Sequence, residues 1–173
     1  NGATGAVVVE QSFAHRRSNR GALLNHGALC ALRLGASAVV FHDVDLLPAL
    51  AGAGHYRDPR LYANGAVHLA ARFRRYQGGR YFGGIVGMTA RDLVRTNGYP
   101  SQIWGWGGED DAQRRRCEAA GVATSAHPVA VADLEALDDV EAKLRQLRAA
   151  DAKCPDKRER VEADRWAWHR DGL

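Results

Sequence analysis

Two short β-branched runs flank one long apolar run near the start of the chain, and few folds accept that succession. Val7-Val8-Val9 lies among glycines and polar residues and reads as a buried strand. Ser18 and Asn19 offer helix N-caps ahead of the apolar-rich stretch 22–34, and Gly35 follows as a stop. Ala38-Val39-Val40-Phe41 is the second strand and delivers the chain into His42-Asp43-Val44-Asp45. Strand, helix, strand predicts a βαβ unit, and with it an α/β fold whose mainly parallel sheet carries flanking helices. Ligands of such sheets collect outside the carboxyl ends of the strands, where Asp43 and Asp45 stand.

Further along, residues 48–76 look irregular, with only short apolar runs such as 66–71. Tyr81 to Met88 predicts another strand, followed by a helix capped by Thr89 and stopped at Asn97-Gly98. Residues 99–108 form a loop of glycines and tryptophans, and a helix runs from about Glu109 to Ala120, ended by Gly121. Val122 to Ala132 is strand-like, and the apolar positions Leu134, Leu137, Val140, Leu144 and Leu147 mark a later helix. With 173 residues, 46% hydrophobic and 25% charged, the chain suits one domain, residues 1–173.

No run approaches the roughly 18–20 apolar residues that span a bilayer, so any membrane anchor would lie outside this chain. The net charge of +4 is spread over short clusters at Arg16–Arg17, Arg72–Arg75, Arg114–Arg116 and Lys157–Arg160, which read as solvated faces. A mildly basic cleft would suit a diphosphate, whereas no nucleic-acid motif is present. Three cysteines without CxxC spacing argue against zinc. Cys30 reads as a small core residue, and a Cys117–Cys154 disulfide stays open.

Chemistry concentrates in three places. Asp43 and Asp45, at i and i+2 of an extended segment, point to one side. They repel unless a cation or donor lies between them, and oxygen ligands suit Mn²⁺ or Mg²⁺. Such a cation would bridge a nucleotide sugar's phosphates and stabilise the departing diphosphate; the same pair could cap a solvated turn. Trp104-Gly105-Trp106-Gly107-Gly108-Glu109-Asp110-Asp111 joins a glycine-rich, ligand-covering loop to three acids at a helix start. Those acids either answer the helix dipole or supply a general base whose neighbours push its pKa up. In Tyr81-Phe82-Gly83-Gly84 the glycines would let a ligand lie against the backbone, although a Tyr-Phe pair is as readily structural. Arg20, at the helix start, either meets a phosphate or is solvated.

Taken together, and in order, these segments resemble the β-1,4-galactosyltransferase family. The matching blocks are Asn19-Arg20 with Leu23-Leu24-Asn25, Phe41 through Pro48, Tyr81 through Gly84, Asn97 through Pro100, and Trp104 through Asp111. The likeness covers about residues 7 to 121, and 133–173 diverges. It implies a GT-A-like nucleotide-diphospho-sugar transferase fold and inverting transfer of galactose from UDP-galactose, with Mn²⁺ (or Mg²⁺), to a glycan hydroxyl. By position it implies Asp110 as base with Glu109 beside it. It further implies Arg20, Asp43, Val44, Trp106, Tyr81, Gly83 and Gly84 at the donor, and Tyr81, Glu109, Asp110 and Asp111 at the acceptor. Tyr81 points to galactose over N-acetylgalactosamine, and Gly107-Gly108 to an acceptor ending in N-acetylglucosamine or glucose.

The resemblance implies Asp45 as direct metal ligand. The family's metal-binding His has no counterpart in the stretch 133–140, where Asp139 stands roughly in register as an oxygen ligand; His127 reads as a surface residue. The family's first strand, with its Pro-Phe-Arg uridine motif, would precede Asn1, so the fold is expected to be incomplete at the N-terminus. A Golgi-luminal, membrane-anchored parent follows from family likeness alone. Two alternatives are a relative using UDP-N-acetylgalactosamine and a catalytically silent sugar- or nucleotide-binding module.

Overall fold

A computed structural model describes residues 4–12, 17–48, 56, 58, 62–71, 81–126, 134–137, 139–149 and 152–173. Helix α1 spans Arg20–Arg33, and its cap forms as the sequence predicts: the Asn19 side chain accepts a bond from the Ala22 amide at 2.9 Å. The same side chain donates to the Ser101 carbonyl at 2.7 Å, so one residue starts the helix and ties it to a distant loop. Gly21 permits that approach, since a Cβ there would strike the Pro100 carbonyl. One turn on, Asn25 bonds both the amide and the carbonyl of Tyr99, each at 2.8 Å.

The chain continues through β1 (Ala38–His42), β2 (Leu46–Pro48), β3 (Ala66–His68) and β4 (Ile85–Thr89), then α2 (Ala90–Arg95) and α3 (Glu109–Ala119). After these come β5 (Thr124–Ala126), β6 (Leu134–Ala136), α4 (Val140–Ala149), α5 (Lys157–Ala167) and a single 3₁₀ turn. The main sheet has the order β1-β4-β3-β5, and β2 pairs with β6 in a small antiparallel ladder.

The expected mainly parallel sheet is corrected to a mixed one. Strands β1, β3 and β5 share a direction, but β4 runs the other way between β1 and β3, so both of its pairings are antiparallel. The cause is local. The chain enters β4 from Gly83-Gly84, beside the carboxyl end of β1, where His42 faces Ile85 and the Asp43 amide bonds the Gly84 carbonyl at 2.8 Å. That entry sets the two glycines against the acidic turn. Side chains of β4 alternate between two apolar clusters: Val86 and Met88 join Phe41, Leu93 and Tyr99, while Ile85 joins Leu46, Tyr62 and Leu69.

Several other expectations change. Val7-Val8-Val9 forms no strand, and Val8 is 85% exposed, because β-propensity without a ladder partner fixes nothing. Residues 66–68, read as irregular, are a fully buried inner strand. Leu134 belongs to β6 rather than to the following helix, since pairing with β2 outweighs a helical spacing. Cys30 is exposed, and Cys117 and Cys154 are buried free thiols. Arg116, placed among solvated charges, is 1% exposed: it bonds Asp164 on α5 and the carbonyls of Asn97 and Gly98. The strand expected over 122–132 is described only as β5, and His127, Arg16, Arg72, Arg74 and Arg75 lie outside the described residues.

Candidate active site

Three elements bring charged side chains to the carboxyl end of β1. Arg20 opens α1, Asp43 follows β1, and Glu109 and Asp110 open α3. The Arg20 guanidinium bonds Asp43 Oδ1 through Nη2 at 2.6 Å and Nε at 3.2 Å. Its Nη1 bonds Asp110 Oδ1 at 2.9 Å and Glu109 Oε1 at 3.4 Å. One cation thus serves three carboxylates, an arrangement suited to the fixed fork of arginine. Burial alone would lower the Arg20 pKa, but Asp110, Asp43 and Glu109 overcome it and hold it well above its ordinary value.

Glu109 and Asp110 are 6% and 8% exposed. Burial pushes the Asp110 carboxyl up to about 7; Arg20 opposes the rise, and Glu109 and Asp43 add to it. Glycine at 108, with φ 108°, lets the loop turn sharply into α3 so that these acids face inward. Glu109 Oε2 and the Tyr99 hydroxyl are buried without a hydrogen-bond partner among the described residues.

Tyr81 and Gly83 complete the cluster. A Cβ at Gly83 would run into the Asp110 carboxylate and the Tyr81 hydroxyl, so these three groups converge on one spot. Behind them His68, buried on β3, bonds the Gly83 carbonyl through Nε2 at 2.8 Å and meets Phe82 edge-on. Burial keeps its ring below the usual range despite that bond. Sequence reading passed over His68, although a lone histidine inside the apolar run 66–71 was a usable signal. Gly84 turns with φ 75° into β4.

The remaining candidates sit apart from this knot. Val44 is 86% exposed at the tip of the acidic turn. Asp45 pairs with Lys143 Nζ at 2.7 Å, and its carbonyl accepts the Leu137 amide at 2.8 Å. Asp139 Oδ1 caps α4 by accepting the Ala142 amide at 2.7 Å. Among the described residues no group of three His, Cys, Asp or Glu side chains could hold a metal ion. Asp111 pairs with Lys157 at 3.2 Å near the surface. Trp106 leaves its indole half-exposed while its backbone is pinned, its amide bonding the Ala152 carbonyl at 2.8 Å.

Two buried acids, an arginine and a glycine pair thus meet at the carboxyl end of β1, on a GT-A-like fold. The comparisons agree. Residues 65–139 match the family model described as the N-terminal domain of galactosyltransferase. Human β-1,4-galactosyltransferase 3 is 37% identical over 134 residues, covering 75% of this chain and 33% of that protein. Zebrafish β-1,4-galactosyltransferase 5 is 34% identical over 128 residues, covering 70% and 32%. A solved mutant of Drosophila β-1,4-galactosyltransferase 7, in complex with manganese, UDP-Gal and xylobiose, superposes with a TM-score of 0.66 at 27% identity. That match covers 84% of this chain and 60% of the other. The catalytic domain of the same Drosophila enzyme with xylobiose gives 0.62 at 28%, covering 73% and 54%. This chain belongs to the β-1,4-galactosyltransferase family, and it spans about a third of the length of the curated relatives it matches.

Proposed function

We propose that the chain carries the catalytic centre of an inverting hexosyltransferase that moves galactose from UDP-galactose to a sugar hydroxyl. The observation that carries this reading is Asp110: a buried carboxylate raised to about 7, bonded to Arg20 and facing Tyr81 over a side-chain-free Gly83. A base of that pKa accepts a hydroxyl proton near neutral pH. In the transfer, the acceptor oxygen bonds the anomeric carbon as the bond to the diphosphate oxygen breaks. The hydroxyl proton passes to Asp110, and the electron pair leaves with UDP.

In this reading Arg20 reaches from Asp43 toward the donor phosphates, and Asp43 and Val44 line the nucleotide-sugar side. Gly83 and Gly84 floor the cleft, Tyr81 selects galactose, and the Trp106 indole covers the donor. Glu109 holds the sugars beside the base, and Asp111 holds the acceptor. Gly107 and Gly108, with φ of 98° and 108°, accept no side chain without strain. They leave room for an acceptor ending in N-acetylglucosamine or glucose.

The Drosophila neighbour was solved with manganese, and Mn²⁺ at Asp45 is the family's expectation. The described side chains do not form a finished ligand set for it: Lys143 holds Asp45, Arg20 holds Asp43 and Asp139 caps a helix. No step above runs through a metal. The compartment proposed by family likeness is the Golgi lumen, with membrane attachment supplied from outside this chain. No described helix is long and apolar enough to cross a membrane.

The test is a panel of UDP-sugars against N-acetylglucosamine, glucose and xylose acceptors, with the anomeric product read by NMR. A β-linked galactoside from UDP-galactose is the expected result. Retention of the donor's anomeric configuration, or Asp110→Asn transferring as fast as the parent, would sink the reading.

A further inference from the structure

The two carboxylates after β1 have different partners. Asp43 is held by Arg20, whose guanidinium is already divided among three acids. Asp45 is held by Lys143, from the other end of the chain, at 2.7 Å. Backbone geometry sets this second pair. Strand β6 is laddered to β2 immediately after the acidic turn, with Leu46 facing Ala136. The Leu137 amide bonds the Asp45 carbonyl at 2.8 Å, and Asp139 caps α4 through both its carboxylate and its carbonyl. These links set the first turn of α4 against the Asp-Val-Asp segment, and Lys143 projects from that turn onto Asp45. The side chains are 36% and 18% exposed, so solvent reaches the pair. Leu137, which follows β6 and bonds Asp45 through its amide, has no ligand atom in its side chain.

We infer that Lys143 is a donor-site cation of this chain, seated on Asp45 where a divalent ion would otherwise bind and presenting its ammonium to the diphosphate of the nucleotide sugar. An ammonium has three donors and can bridge a carboxylate and a phosphate at once. When the bond from the anomeric carbon to the diphosphate oxygen breaks, the electron pair departs with that oxygen. A fixed ammonium stabilises the charge without accepting or giving a proton. The same geometry makes a divalent cation a competitor of Lys143 for Asp45. This inference rests on the donor reading given above.

Titration calorimetry with UDP, in chelator and in Mn²⁺, tests it on the whole chain, with Lys143→Met and Lys143→Arg compared and folding checked by circular dichroism. The parent chain is expected to bind UDP in chelator. Lys143→Met should weaken that binding about tenfold or more, equivalent to about 1.4 kcal/mol, and Lys143→Arg should retain it. Paramagnetic resonance of Mn²⁺ should show tighter metal binding in Lys143→Met, because the ammonium no longer competes for Asp45. If the parent binds UDP only with Mn²⁺, or Lys143→Met binds it in chelator as well as the parent, the inference fails while the donor reading stands. Should the parent bind no UDP under either condition, both fail.

Discussion

Asp110 is the residue whose environment does most for the proposed chemistry, and it does so at a cost to the fold. Its pKa is raised by burial from 3.8 to about 7. A base must be ionised, so turnover should fall as pH drops through about 7. Arg20 is the largest influence pulling this pKa down, so Arg20→Met should move the acid limb of the profile to higher pH. A pH–rate series on both proteins measures the shift. Asp110→Asn should lower turnover by about 10²–10⁴-fold, the usual worth of a general base. The stability sign is the reverse. A carboxyl with a raised folded pKa binds more protons folded than unfolded between about 3.8 and 7, so stability falls as pH climbs through that window. Asp110→Asn should therefore melt above the parent at pH 8, with the gap closing toward pH 4. A melting series that shows Asp110→Asn less stable at pH 8 would contradict the burial argument.

At the scale of elements, the approach to β4 and the start of α3 decide whether the site exists. Gly83→Ala places a methyl against the Asp110 carboxylate and the Tyr81 hydroxyl. Turnover should drop about 10²-fold, as expected for a displacement near 1 Å at reacting groups, while the melting temperature moves little. Steady-state kinetics beside calorimetry separates the two effects. At the far end of α3, Arg116 holds Asp164 and the Asn97 and Gly98 carbonyls in a buried network. Arg116→Met strands Asp164, 8% exposed, without its partner and should cost about 3–5 kcal/mol, readable in urea unfolding. Helix boundaries were legible in the sequence because caps and stops are local: Asn19, Thr89, Gly35 and the positive φ at Asn97 and Gly98 act within four residues. The partner of Arg116 was not legible, since Asp164 lies 48 residues away and only packing of α5 on α3 brings them together.

For the whole molecule, stability should be graded outward from β4. That strand is paired on both edges and buried on both faces, whereas α4 shows mostly exposed or half-buried side chains. Native-state hydrogen exchange should find the Val86 and Met88 amides slowest and the α4 amides opening early. Early exchange in β4 would mean that the sheet is not the organising core. By itself the sequence determined the acidic turn after an apolar strand, the capped helices and the Trp-Gly-acid block, because each is written in contiguous residues and short-range physics. The family likeness rests on those same blocks. Tertiary structure alone decided that β4 reverses inside the sheet, that His68 backs Gly83, and that Lys143 takes Asp45. Those outcomes depend on ladders, hydrogen bonds and ion pairs between residues distant in the chain, where no local spacing specifies the partner.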